Sequence, residues 1–395
     1  MSNLDIEWAA AWDLDPDVRF LNHGSFGACP RVVMQEQSRL RAELEREPVL
    51  FMARRLEGYL DEAREALASF VGAAASDLVF VPNATTGVNA VLRSINFEAG
   101  DELLVTNHGY NACSNAAHFV CERAGAVVTV AEIPFPLETE QEVLDAILAA
   151  VTPKTRLALI DHITSPTGLV LPIERIVREL RERGVETLVD GAHGPGMLRL
   201  NLDEIGAAYY TGNCHKWLCT PKGSGLLHVR KDLQESVRPT VISHGANAHR
   251  TDRSLFQVEF GWVGTDDPTA FLVVPTAIEF FGNLVDGGWP AIWDRHKCQA
   301  LAARGLLCEA LDVPEPSPPE MIGALASVPL PPGDPNAPAG VWEMDPVQRV
   351  LFETHGIEVP IMSWPAPPGR LLRVSAQLYN TMQPYRDLAQ LLPLV

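Results

Sequence analysis

The chain has 395 residues, 47% of them apolar, with 50 acidic against 31 basic side chains and a net charge of −19. That length calls for one large and one smaller domain, and the charge repels phosphate backbones and anionic lipid. No local basic patch is visible and no run approaches the roughly 20 apolar residues of a membrane span, so nucleic-acid and membrane roles are set aside.

The N-terminal MSNLDIEWAAAWDLDPD is acidic and unlike a secretory signal, which points to a cytoplasmic protein. Residues 31–71 carry apolar side chains at helical spacing interrupted at Pro48, which predicts two helices. The β-rich LVFV at 78–81 runs into Asn83, Thr85, Thr86 and Gly87 before a helical pattern resumes. A strand feeding a Thr/Gly turn at a helix N-terminus is a ready anion site, because free N–H groups and the helix dipole converge there; a plain N-cap has the same sequence.

DELLVTNH, AVVTVAEI, RLALIDHIT, ETLVDGAH and AAYYTGNCH read as further strands, with helical stretches such as EQEVLDAILAAV and LPIERIVRELRERG between them. This alternation predicts an α/β fold: a mostly parallel sheet covered on both faces, with ligands gathered at the carboxyl ends of its strands. From about residue 265 the pattern turns helical, over 266–285 and 290–311, followed by the proline-rich VPEPSPPE. SVPLPPGDPNAPAG reads as a loop between short elements. The expected division is a large domain over 20–265 and a smaller α+β domain built from 1–19 and 266–395. Seven scattered cysteines without a CxxC pair suggest buried, reduced thiols rather than a disulfide framework or a metal site.

The segment GNCHKWLCTPKGSG, residues 212–225, holds two of only five lysines in a chain whose other positive charges are 26 arginines. Arginine stays protonated, whereas a desolvated lysine can lose its proton and attack a carbonyl as a free amine. Lys216 is the candidate; Lys222, between Pro221 and Gly223, suits a loop cap. Asp190 ends the strand ETLVD, 26 residues earlier. A carboxylate and a lysine at the ends of successive strands, with a Thr-rich turn earlier in the sheet, fit a pyridoxal 5'-phosphate site: the lysine forms a Schiff base, and the carboxylate keeps the pyridine nitrogen protonated.

NATTGVN, DHITSPTG, DGAHGPG, GNCHKWLCTPKGSG, Gly264-Thr265-Asp266 and the final RVSAQLYNT together resemble fold-type-I, aspartate-aminotransferase-like enzymes of aminotransferase class V, in the isopenicillin N epimerase-like branch. The resemblance runs over nearly the whole chain, from FLNHGSFGACP onward. It implies that Lys216 carries the cofactor, Asp190 pairs with the ring nitrogen and His193 faces the phenolic oxygen. Thr85, Thr86, Asn213 and His215 are implied to hold the phosphate, and Thr265 to reach it from a neighbouring subunit of a homodimer. Tyr110 or His108 would stack on the ring, with Tyr110 preferred. Arg373 looks like the clamp for a substrate α-carboxylate, with Asn22 and His23 beside it. Arg54 and Arg55 read as a solvated helix face, although the family places that segment near the pocket.

The shared first step is removal of the Cα proton of an amino-acid substrate by Lys216. Epimerisation, with Tyr110 or His108 as the second acid, is the expected outcome. A C–S β-lyase and an aminotransferase are the alternatives, and a non-catalytic cofactor-binding protein is a distant one. HGIEVPIMSWPAPPGRLLR, just before Arg373, contains no cysteine, which argues against the persulfide chemistry of a cysteine desulfurase.

Overall fold

The computed structural model describes residues 8–336 and 343–394. The expectations on the first seven residues, and part of the Pro/Gly-rich segment after Asn336, lie outside them. Twelve strands are described: β1 (Arg19–Phe20), β2 (Leu78–Val81), β3 (Glu102–Thr106), β4 (Val127–Ala131), β5 (Thr155–Asp161), β6 (Glu186–Gly191), β7 (Tyr209–Asn213), β8 (Gly225–Val229), β9 (Leu325–Leu330), β10 (Ile357–Glu358), β11 (Ile361–Ser363) and β12 (Arg370–Ser375).

Seven of them form one sheet in the order β2-β8-β7-β6-β5-β3-β4. The run from β7 to β4 is parallel, and β8 is antiparallel to both of its neighbours. The predicted strands at 78–81 and in the five later motifs all form. β8, whose GLLHV begins at the last residue of the lysine motif, is an addition: with both faces covered it is buried throughout, His228 included, and lacks the alternation that marks a half-buried strand. Alternation survives inside the sheet as a division between two cores. Val79, Val81, Leu157 and Leu159 pack on one face with the helices Ala84–Ser94 and Asn111–Ala124. Leu78, Phe80, Ala158 and Ile160 pack on the other, with the helices Leu56–Val71 and Ile173–Glu182.

Pro48 ends the first long helix, Arg31–Arg46, because it supplies no N–H. It then starts a short turn whose Leu50 N–H is accepted by Glu47, and a π-helical turn, Phe51–Arg55, leads into Leu56–Val71. The smaller sheet has the order β11-β12-β9, all antiparallel, and packs under the helices Gly288–Leu311 and Gln383–Leu391. The residues SVPL, expected as loop, belong to β9. That strand lies at the sheet edge, where Pro329 is tolerated because its missing N–H breaks no inner ladder. The N-terminal segment ties the two cores together: Trp12 packs in the larger one, β1 pairs with β10, and Leu21 lies in the smaller one. No single helix among the described residues is long and apolar enough to cross a membrane.

Candidate active site

Strands β2, β3, β5, β6 and β7 end at one edge of the sheet. The chain runs from β3 outward to β4 and returns on the other side at β5, so the crevice between β3 and β5 is a topological switch point, where open α/β sheets bind ligands. Tyr110 follows β3, Asp161 closes β5, Asp190 lies in the last turn of β6, and Lys216 stands three residues beyond β7.

The Lys216 loop is held from behind. Its carbonyl accepts from His23 Nε2 at 2.9 Å and from the Cys219 N–H at 3.2 Å. A carbonyl can only accept, so the His23 proton is on Nε2, and Nδ1 receives the Tyr379 hydroxyl at 2.8 Å. Gly27, at φ +70°, lets the backbone approach closely: a Cβ there would lie 2.0 Å from the His215 carbonyl oxygen.

In front, Lys216 Nζ lies 3.1 Å from His193 Nε2. The Trp217 indole N–H donates to His193 Nδ1 at 3.1 Å, so a neutral His193 carries its proton on Nε2 and directs it at the lysine. Burial, with the charges of Lys216 and Arg373, holds His193 well below the usual histidine range. An N–H aimed at Nζ favours the amine over the ammonium. Burial first, then the Arg373 charge, brings Lys216 down to about 8, against the pull of Asp190.

Asp190 is buried. Its Oδ2 accepts from the Cys113 thiol at 3.0 Å and its Oδ1 from the Ala192 N–H at 3.0 Å. Tyr110 caps the helix Asn111–Ala124 and is 44% exposed. Its hydroxyl pKa is raised by burial and by the nearby Cys113 and Asp190, with Arg373 opposing.

Arg373 comes from β12 in the smaller sheet and is 3% exposed. Nη1 donates to the Ser165 carbonyl at 2.5 Å and to its hydroxyl at 3.3 Å, and Nη2 donates to Ser25 Oγ at 3.3 Å. Nε has no partner, and no carboxylate pairs with this guanidinium among the described residues. Burial pulls it down to about 10. A buried cation with an orphaned N–H is costly unless an anion arrives.

At the other end, Asn83 caps the helix Ala84–Ser94 by accepting the Thr86 N–H at 2.9 Å, and Asn213 Oδ1 accepts the Ala84 N–H at 2.8 Å. Thr85 and Thr86 are thereby set in the first helical turn, and the Asn213 amide nitrogen is left as a donor. His215 Nδ1 donates to the Ser224 carbonyl at 3.1 Å. Thr265 stands exposed next to Gly264, at φ +128°.

Three residues sit differently from the sequence expectation. His108 is fully buried, with Nδ1 on Thr167 Oγ1 at 2.8 Å and Nε2 on the Ile133 carbonyl at 3.2 Å, and it packs edge-on against Trp364. Both of its nitrogens are engaged, so of the two ring-stacking candidates only Tyr110 is presented at the surface. His23 has both nitrogens on Tyr379 and Lys216, so it positions the lysine loop and does not line a pocket. Asn22 binds Glu358 and Ser25, and reaches Arg373 only through Ser25. Lys222 ties its loop to the Gly27 carbonyl at 3.0 Å. Arg54 and Arg55 are exposed, and Arg55 pairs with Glu43. Asp161, Cys113, Ser25 and Ser165 escaped the sequence reading; for Asp161 the signal was available, an acid closing RLALID as Asp190 closes ETLV.

The donors present fit pyridoxal 5'-phosphate. Among the described residues, a depressed lysine, a buried carboxylate bonded by a thiol and an N–H and by no cation, and a capped helix N-terminus with added side-chain donors occur at one sheet edge, and opposite them lies a buried guanidinium that no carboxylate pairs. Fold and site together define a fold-type-I pyridoxal-phosphate enzyme. A model of the aminotransferase class-V family matches residues 22–284, and the chain belongs to that family. It is 36% identical over 402 residues to an isopenicillin N epimerase of Amycolatopsis lactamdurans, with 98% of each chain covered. To a putative L-cysteine desulfhydrase of Oryza sativa subsp. japonica it is 32% identical over 403 residues, covering 93% of this chain and 81% of the relative. Among solved structures, a lysine-to-alanine variant of C-DES with glycine covalently linked to its PLP cofactor matches with a TM-score of 0.77 at 20% identity, over 95% of this chain and 96% of that one.

Proposed function

We propose that this enzyme inverts the Cα centre of an amino-acid substrate, with Lys216 and Tyr110 as the two groups that exchange the proton. Pyridoxal phosphate, when bound, supplies an electron sink for the charge left on Cα. Thr85, Thr86, Asn213 and His215 would hold its phosphate, and His193 Nε2–H its phenolic oxygen. Arg373 receives the substrate carboxylate with its free Nε–H and the rest of its fork. Lys216, with a pKa near 8, has a usable neutral fraction close to neutral pH and takes the Cα proton as general base. Asp190 keeps a proton on the ring nitrogen. The Tyr110 hydroxyl stays protonated and returns a proton to Cα.

The observation that carries this reading is that a buried lysine after β7 and an exposed tyrosine after β3 stand at one sheet edge, with a buried guanidinium, Arg373, that pairs with no carboxylate among the described residues. In deuterated solvent Tyr110→Phe should keep Cα exchange within a few-fold while inversion falls by about 10² or more. Equal loss of both rates removes Tyr110 from the reaction.

The desulfhydrase relative favours a second reading, in which the same Lys216 step is followed by expulsion of a β-sulfur. The segment from Ile361 to Arg370 carries no thiol, so such a lyase would work without a protein persulfide. Release of pyruvate and sulfide from L-cysteine decides for the lyase, and racemisation without release decides for the epimerase. The exposed Thr265 suits a cytoplasmic homodimer in which it completes the neighbour's phosphate site; sedimentation of the holoenzyme as a monomer would contradict that.

A further inference from the structure

Asp161 and Asp190 are register partners at the ends of the adjacent parallel strands β5 and β6, and both are buried, at 5% and 2% exposure. Neither carboxyl is hydrogen-bonded to a cationic side chain among the described residues. Asp190 receives the Cys113 thiol and the Ala192 N–H. The backbone N–H groups of Tyr110 and of Asp161 itself lower the proton affinity of the Asp161 carboxyl, by less than burial and Asp190 raise it. Gly109, immediately before Tyr110, lies so close that a Cβ there would come within 3.7 Å of Asp161 Oδ2. Asp161 therefore touches both halves of the switch-point crevice, the Tyr110 turn after β3 and the charge at the end of β6.

Two carboxylates side by side in a closed site do not both ionise; the pair keeps one proton. The reading of Asp190 as the partner of the cofactor's ring nitrogen assigns the charge of the pair to Asp190 and the proton to Asp161. Desolvation and the neighbouring Asp190 raise the proton affinity of Asp161 well above the usual carboxylate range.

We propose that Asp161 is a positioning residue, a neutral carboxylic acid that fastens the Tyr110 turn to β5 and leaves the single negative charge of the pair on Asp190. This rests on the reading of Asp190 as the partner of the cofactor's ring nitrogen. A neutral neighbour lets Asp190 meet the ring nitrogen as one full charge. An amide of the same shape should replace Asp161, and a methyl group should not.

The test compares the holoenzyme with Asp161→Asn, Asp161→Ala and Asp190→Asn. In the mid-infrared, the difference between the wild-type holoenzyme and Asp161→Asn should contain the carbonyl band of a protonated carboxylic acid, shifted in deuterium oxide. The dissociation constant of pyridoxal phosphate should stay within about threefold in Asp161→Asn and rise about tenfold or more in Asp161→Ala and in Asp190→Asn, the scale of a lost bond to a charged or buried polar group. An absent acid band, or Asp161→Asn weakening the cofactor as much as Asp190→Asn does, overturns the proposal and leaves the cofactor site in place. Wild-type affinity in Asp161→Ala overturns it as well. If Asp190→Asn itself binds normally, the reading of Asp190 fails and the proposal falls with it, while the infrared band still reports where the proton of the pair resides. Should Asp161→Ala not fold, the band and the Asn variant still decide.

Discussion

Arg373→Met separates a ligand clamp from a structural arginine, because the two roles predict different changes in stability. In the folded chain burial brings the guanidinium pKa down from the ordinary arginine range to about 10. Both folded and unfolded arginine are protonated at pH 7.5, so the burial penalty is fully present there and disappears only as pH rises above about 10 towards the ordinary arginine range. The shift corresponds to about 3 kcal/mol of destabilisation that methionine does not carry. Against this, Ser165 O, Ser165 Oγ and Ser25 Oγ lose their donors, at about 1 kcal/mol each. The two contributions nearly cancel, so the thermal midpoint should move by no more than a few degrees, at about 2 °C per kcal/mol for a chain of this size. Loss of a buried structural ion pair would instead cost about 3–5 kcal/mol. Binding should change much more: a charge-assisted fork on a carboxylate is worth about 3 kcal/mol, or roughly 10² in affinity. The assay titrates the holoenzyme with an amino acid and with its carboxamide while recording the cofactor absorbance. Wild type should prefer the acid strongly and Arg373→Met should not. A variant that still discriminates, or whose midpoint falls by about 6 °C or more, refutes the assignment.

Lys216 gives a pH signature in the cofactor-free protein. Its pKa is lowered from 10.5 to about 8, so between these values the unfolded state binds the extra proton and the residue's contribution to stability rises with pH. Lys216→Met should therefore exceed wild type by up to about 3 kcal/mol below pH 8, with the gap closing by about pH 10.5; a gap independent of pH contradicts the buried amine. Gly27→Ala should cost more than about 2 kcal/mol, since φ +70° is strained for a side chain and the new Cβ would meet the His215 carbonyl. It should also slow the reaction of Lys216 with pyridoxal phosphate, followed by absorbance; a wild-type rate and midpoint would dismiss the close approach. Asn213→Ala should cost about 1 kcal/mol in denaturant titration through the lost Ala84 contact and also weaken cofactor binding. Loss of stability with unchanged cofactor affinity would confine Asn213 to capping.

The sequence by itself determined the chemistry that depends on local order. A scarce lysine after one strand, an aspartate closing the strand before it and a Thr/Gly turn capping a helix are each visible within a dozen residues, because strand direction and caps are local properties. The tertiary structure decided which of these groups meet. Asp161 lies beside Asp190 only because β5 and β6 are neighbours in the sheet, and Arg373 reaches Ser25 and Ser165 across sequence separations of 348 and 208 residues. The resemblance preferred Tyr110 to His108, but how differently the two are packed was closed to the sequence. Two residues apart after the same strand, they differ in that Thr167 and the Ile133 carbonyl take up both nitrogens of one, while the other is 44% exposed. Hydrophobic periodicity sets which way a side chain points, but packing between distant segments sets whether a polar group is satisfied, and an unsatisfied or desolvated polar group is what makes a site reactive.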